Sequence, residues 1–175
     1  GMEAASYNGQ YFTSMFNGAT AFNQPVNSWN FGGLSKPMYF KNMFKGATSF
    51  NRPTTGWSWP GTLGGSRDYQ NMFSGATLFD KDISGMDYRN LDHSATSLKG
   101  MLKDTAFSQP TYYLLLKALA TNSSLPGQTE PTFGGVSSAF DTTAKYGYNG
   151  EQYRNKLKNP TGPYQWTGIV DGGHV

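Results

Sequence analysis

Two rhythms of apolar residues alternate along the first two-thirds of the chain. In the first, Phe12, Met15, Phe16 and Ala19 fall at steps of three, one and three; Phe40, Met43, Phe44 and Ala47 repeat the steps, as do Tyr69, Met72, Phe73 and Ala76. This spacing predicts two turns of helix with one buried stripe. Gly18, Gly46 and Gly75 stand near the end of each stripe and are poor helix formers, so such a helix needs tertiary support. In the second rhythm, Val26, Trp29 and Phe31 read apolar-x-x-apolar-x-apolar; Ile83, Met86 and Tyr88 repeat it, and Thr54, Trp57 and Trp59 match with one weak member. The alternating pair at its end predicts a short strand with one face inward.

The rhythms belong to a longer phrase. Met15-Phe16-Asn17-Gly18-Ala19-Thr20-Ala21-Phe22-Asn23-Gln24-Pro25 returns from Met43 to Pro53 and from Met72 to Asp82. A shorter, degenerate copy runs from Met101 to Pro110. The leading methionines lie 28, 29 and 29 residues apart. A fixed period of this size predicts a solenoid in which each coil buries its apolar face only against its neighbours. The expected fold is α/β, with a short helix and a short parallel strand in each coil.

The phrase Met-Phe-x-Gly-Ala-Thr-x-Phe-Asn-Gln-Pro, followed by Trp, resembles the BspA-like leucine-rich repeats of microbial surface proteins and lipoproteins. The resemblance covers roughly residues 9–110. Tyr113-Leu114-Leu115-Leu116, Thr132-Phe133-Gly134 and the run from Trp166 to Gly173 are similar to the segment that often closes such arrays. The resemblance implies a leucine-rich-repeat fold, a cell-surface setting and a role in adhesion or recognition. It brings no catalytic motif.

After Pro110 the period stops. Tyr112, Tyr113, Leu115, Leu116 and Leu119 predict a helix with Pro110 in its first turn. Asn149 and Gln152 have the spacing of a capping box, opening a helix through Tyr153 and Leu157 that stops before Pro160. Residues 122–148, rich in Gly, Ser, Thr and Pro, predict a loop, and Trp166 to Val170 a last strand. The division is therefore a repeat array over residues 1–110 and a mainly helical cap over 111–175, since an array needs an atypical terminal unit.

Composition removes several function classes. The chain has 175 residues, 14 Lys and Arg against 11 Asp and Glu, and no cysteine. Its net charge of +3 is scattered rather than gathered into the basic stripe that nucleic acid requires. Absence of cysteine excludes a disulfide framework and thiolate metal sites. No apolar segment reaches membrane-crossing length and no signal-peptide core is visible, while Gly1 before Met2 reads as a cloning remnant.

Candidate chemistry also fails on inspection. Asp80-Lys81-Asp82-Ile83-Ser84-Gly85 imitates the opening of a calcium loop, but Leu91 stands where the bidentate acid is required. The same columns read Asn23-Gln24-Pro25 and Asn51-Arg52-Pro53, so repeat position explains the segment. Asp92, His93 and Ser94 are adjacent in sequence and so cannot converge as a triad. His93 and His174 are the only histidines, too few for a histidine-rich metal site. Gly32-Gly33 and Gly64-Gly65 lack the Gly-Lys-Ser/Thr of a phosphate loop. Trp29, Trp57 and Trp59 read as core rather than as a sugar platform, and Thr20, Thr48 and Thr77 as packing rather than an ice-binding ladder. Asn122-Ser123-Ser124 is a glycosylation sequon.

No catalytic residue, metal ligand or cofactor site is therefore expected. The candidate binding face is the outward side of the predicted strands: Ser28, Asn30 and Gly32, then Gly56 and Ser58, then Gly85, Asp87 and Arg89. Asp87 and Arg89 are expected to be exposed, so that replacing either changes stability by no more than about 0.5 kcal/mol. Strands sit about 5 Å apart, so three or four short ones cover at most a few hundred Å², well below the roughly 800 Å² a standard interface takes from each partner. The expected ligand is a glycan, peptide or protein bound weakly at a cell surface, with no nucleic acid and no membrane insertion by this segment. The different-class expectation is a purely structural piece of a longer surface array.

Overall fold

The computed structural model describes residues 10–34, 37–61, 65–89, 91, 96–122 and 151–159. Three short strands, β1 (Gln10–Tyr11), β2 (Met38–Tyr39) and β3 (Arg67–Asp68), pair in parallel in the order β1-β2-β3. Gln10 faces Met38 and Met38 faces Arg67. Equivalent residues of successive repeats are therefore neighbours in space. The strands immediately precede the Met-Phe phrase. Where the second rhythm predicted strands, a single parallel bridge joins Asn30 to Ser58.

The short helix expected in each repeat does not form. Residues 13–18, 41–46 and 70–75 are runs of turns. The reason lies in where the amides go. Phe12, Ser14, Phe16 and Gly18 donate to the carbonyls of Tyr39, Lys41, Met43 and Lys45 in the next repeat, at 2.7–2.9 Å. The alternate amides of Met15, Asn17 and Ala19 turn back to Phe12, Ser14 and Phe16. A helix spends its interior amides on its own carbonyls and leaves none for a neighbour. The alternation is possible because two columns adopt positive φ: Ser14 (58°), Asn42 (56°), Asn71 (54°) and Gly100 (66°), then Gly18 (72°), Gly46 (69°), Gly75 (73°) and Asp104 (58°). Gly and Asn tolerate this region best, which accounts for much of the column composition.

Stacked aromatic rings fill the interior. Phe16, Phe44 and Phe73 form one ladder, with centroids 5.3 and 5.7 Å apart. Phe22, Phe50, Phe79 and Phe107 form a second, at 5.9, 5.7 and 6.4 Å. Phe12, Phe40 and Tyr69 form a third, at 5.0 and 5.4 Å. Phe44 and Trp57, expected in the core, are buried. Trp29 and Trp59 are only partly buried and pack against the core. A polar ladder accompanies the rings: Asn23 Oδ1 accepts from the amide of Asn51, and Asn51 Oδ1 from the amide of Asp80, each at 3.1 Å.

Two helices follow. α1 (Gln109–Thr121) has Pro in its first turn and buries Tyr112, Leu115, Leu116 and Leu119, the residues its periodicity singled out apart from Tyr113. Asp80 Oδ1 lies 2.9 Å from both Ser108 N and Ser108 Oγ and 2.7 Å from Thr111 Oγ1, so the third repeat anchors the start of α1. α2 (Glu151–Lys158) buries Leu157, and its Tyr153 ring meets Tyr113 of α1 at 5.7 Å. Asn149 of the expected capping box, the loop from 123 to 148 with Ser123 and Ser124 of the sequon, the strand at 166–170, the Asp92-His93-Ser94 segment and His174 lie outside the described residues.

Candidate functional site

The residues expected to share one binding face are divided. Ser28, Asn30 and Ser58 are exposed, as are Gly32, Gly56 and Gly85. Asn30 turns its Oδ1 back to the amide of Gly32 at 2.8 Å and borders a cavity at the first repeat. Asp87 and Arg89 border a different cavity, of about 280 Å³, together with Trp59, Tyr88, Ala118 and Asn122.

Asp87 corrects the expectation of an exposed, freely variable position. Its residue is 4% exposed. The reason is a charge network drawn from separate segments. Arg67 Nη2 donates to Asp87 Oδ2 at 3.2 Å, and both side chains are 1% exposed. Arg89 grips the same carboxylate from the outside, with Nε donating to Oδ1 at 2.8 Å and Nη2 to Oδ2 at 3.1 Å. The Arg89 amide donates to Oδ1 at 3.2 Å, while Nη2 also reaches the Pro60 carbonyl at 2.7 Å. A buried carboxylate persists only with such pairing.

The same contacts set the protonation states. Burial alone would raise the Asp87 pKa, but the Arg89 hydrogen bonds and the charges of Arg67 and Arg89 outweigh it and hold the group below the ordinary carboxylate value. Hydrogen bonding to Asp87 raises Arg89 above its ordinary value. Burial pushes the phenols of Tyr69 and Tyr88 well above theirs. Both donate to carbonyls, Tyr69 to Asp87 and Tyr88 to Ile83, each at 2.9 Å.

This arrangement suits holding rather than reaction. Asp87 already accepts four hydrogen bonds, so its lone pairs are committed and it makes a poor general base. The side chain of Arg89 is 41% exposed, and its Nη1 meets no partner among the described residues. That nitrogen can donate to an acceptor arriving from solvent. Trp59 beside it is fixed by an indole N–H donated to Gly85 O at 3.1 Å. Of the three charged groups Arg67 is buried behind Asp87, so the open Nη1 of Arg89 is the charged donor that a ligand in the groove meets. Among the described residues, no three of His, Cys, Asp and Glu group together as metal ligands. Among them, too, no helix is long and apolar enough to cross a membrane.

Sequence reasoning missed Arg67, Trp59, Tyr88 and the α1 residues as members of this site. One signal was present for Arg67. It occupies the column of Met38, so a cation stands where the preceding repeat places a buried apolar side chain. A charge at a position buried in the preceding repeat implies a buried counter-ion.

Residues 6–85 match the family described as Mycoplasma protein of unknown function, DUF285. Neither the curated proteins nor the solved structures provide a match to the chain.

Proposed function

We propose that this chain is a non-enzymatic recognition module of the BspA-like leucine-rich-repeat type, a solenoid that works at a cell surface. The observation that carries the reading is the half-open Arg89 guanidinium, clamped on one side by buried Asp87 and flanked by Trp59 in a small groove. A rigid cation beside an aromatic edge suits a carboxylate or hydroxyl-rich group of a glycan or peptide. A groove of about 280 Å³ lies at the small end for ligand sites, so affinity for a single ligand is low and surface attachment relies on multivalency.

The test displays the chain multivalently on beads and screens immobilised sialylated glycans, neutral glycans and acidic peptides. Binding to an acidic probe that falls about tenfold or more in Arg89→Ala, with Ser28→Ala unaffected, supports the reading. Circular dichroism checks that the variants fold. Absence of binding on every surface overturns it.

A second reading is favoured by one observation. Met15 of the first repeat is 45% exposed, whereas Met43, Met72 and Met101 in the same column are fully buried. An end of this kind suits a structural unit within a longer array of like repeats.

A further inference from the structure

The two ends of the repeat stack differ, and the polarity of the backbone ladder indicates what the first one fits. In the turns at 13–18 and 41–46 the inter-repeat backbone hydrogen bonds run one way: Ser14, Phe16 and Gly18 donate to Lys41, Met43 and Lys45, and Asn42, Phe44 and Gly46 donate to Gln70, Met72 and Ser74. Just beyond them the Ser49 amide runs the other way, to the Thr20 carbonyl. Within these two turns donors point toward the following repeat and acceptors toward the preceding one. The carbonyls of Thr13, Met15 and Asn17 are the first-repeat counterparts of the filled acceptors at Lys41, Met43 and Lys45. No donor reaches them among the described residues.

The side chains of that end are open as well. Phe12, Phe16 and Phe22 are half-buried, whereas Phe40, Phe44 and Phe50 in the same ladders are fully buried. Phe12, Met15, Trp29, Phe31 and Leu34 border an open cavity of about 400 Å³. At the other end, Leu98, Met101, Leu102 and Phe107 are fully buried in one cluster with Leu115, Leu116 and Leu119 of α1.

We propose that the first-repeat face binds a segment carrying the same repeat phrase, added as one more rung of the stack. Its alternate amides would donate to Thr13, Met15 and Asn17, and its phenylalanines would continue the ladders at the 5.0–5.9 Å spacing that joins Phe12 to Phe40, Phe16 to Phe44 and Phe22 to Phe50. The glycine of the phrase matters here. A Cβ built on Gly46 lies 3.8 Å from the Gly18 backbone, so the stack is close-packed along this column. The occupant presents alternate turn amides as donors to these three carbonyls, as in strand addition. A second copy of the chain does not meet this requirement. Two first-repeat faces would set the Thr13, Met15 and Asn17 carbonyls against the same carbonyls, and the last repeat's core packs against α1. The inference rests on the structural-array reading and is independent of the Arg89 groove.

The experiment titrates a fluorescent synthetic peptide of residues 38–61 into the full chain, with a companion peptide N-methylated at the amides of Asn42 and Phe44. Saturable binding that falls about tenfold or more on methylation, and equally in the chain variant Met15→Glu, is the expected result. Met15 is exposed, so that variant retains its fold. Because a free peptide pays the whole ordering cost, a second measurement fuses an additional copy of residues 38–65 directly before Gln10. The fused copy should raise Tm by about 5 °C or more, with the gain cancelled by Met15→Glu. Failure of both the peptide and the fusion overturns the proposal. Concentration-dependent dimerisation of the wild-type chain that Met15→Glu abolishes overturns it too, because it would make a second copy the occupant. Loss of glycan binding in Arg89→Ala with the peptide still bound separates this inference from the groove reading.

Discussion

Replacing Asp87 with Ala should be among the most damaging single changes in the described core, although its repeat column otherwise holds the exposed Asn30 and Ser58. The substitution removes the partner of Arg67, whose side chain is 1% exposed and whose Nε already lacks a hydrogen bond. At 3.2 Å, two unit charges attract by about 5 kcal/mol at an effective dielectric constant of about 20. The desolvation of Arg67 remains after the attraction is lost, and breaking a buried pair from one side typically costs about 3–5 kcal/mol. Arg89 loses its anchor at the same time. Urea unfolding followed by tryptophan fluorescence measures the change by linear extrapolation. Tm should fall by about 6–20 °C, taking about 2–4 °C per kcal/mol for a chain of this size. The double variant Arg67→Met with Asp87→Leu should recover much of the loss, since an apolar pair of similar volume is often neutral. If Asp87→Ala instead stays within about 0.5 kcal/mol of wild type, the carboxylate is solvated and the buried network is not as described.

Phe44 is fully buried and stacks on Phe16, Phe50 and Phe73, so Phe44→Ala should cost about 3–5 kcal/mol in the same assay; near-wild-type stability would show the ladder is not the core. In Gly56→Ala the new Cβ would collide with the backbone carbonyl of Asn27, and a clash with backbone relieves only by moving the chain, so a loss of about 1–3 kcal/mol is expected in urea titration. Because the folded pKa of Asp87 is lowered, its contribution is complete above the unfolded value of about 3.9 and is lost as pH falls through the lower folded value; a Tm-against-pH series should therefore be flatter in this acid range for Asp87→Ala than for wild type. Chelator should leave Tm unchanged, because Asp80 Oδ1 already faces three donor groups at Ser108 and Thr111; a calcium-dependent rise of several degrees would contradict this.

The period of 28 to 29 residues was decisive at the sequence level, because residues at equal positions in successive repeats must meet if the repeats stack. It identified Phe40, Phe44, Tyr69 and Phe73 as inward-facing, and the apolar run after Pro110 identified α1. Spacing alone did not decide the backbone. Steps of three and four residues are common to a helical stripe and to turns bounded by left-handed residues at Asn42 and Gly46. The choice depends on hydrogen-bond partners about 28 residues away, such as Met72 for the amide of Phe44, which no local pattern reveals. The candidate site was less legible for the same reason. Ser28, Asn30 and Ser58 are exposed as their alternation implies, yet Asp87 in the same series is buried. Its burial required Arg67 from one strand and Arg89 from a later loop to converge on one carboxylate. Charge burial is a property of the assembled group, since each ion alone would remain in water. Repetition in sequence determined which residues could stack; only the folded backbone decided which donors, acceptors and charges met.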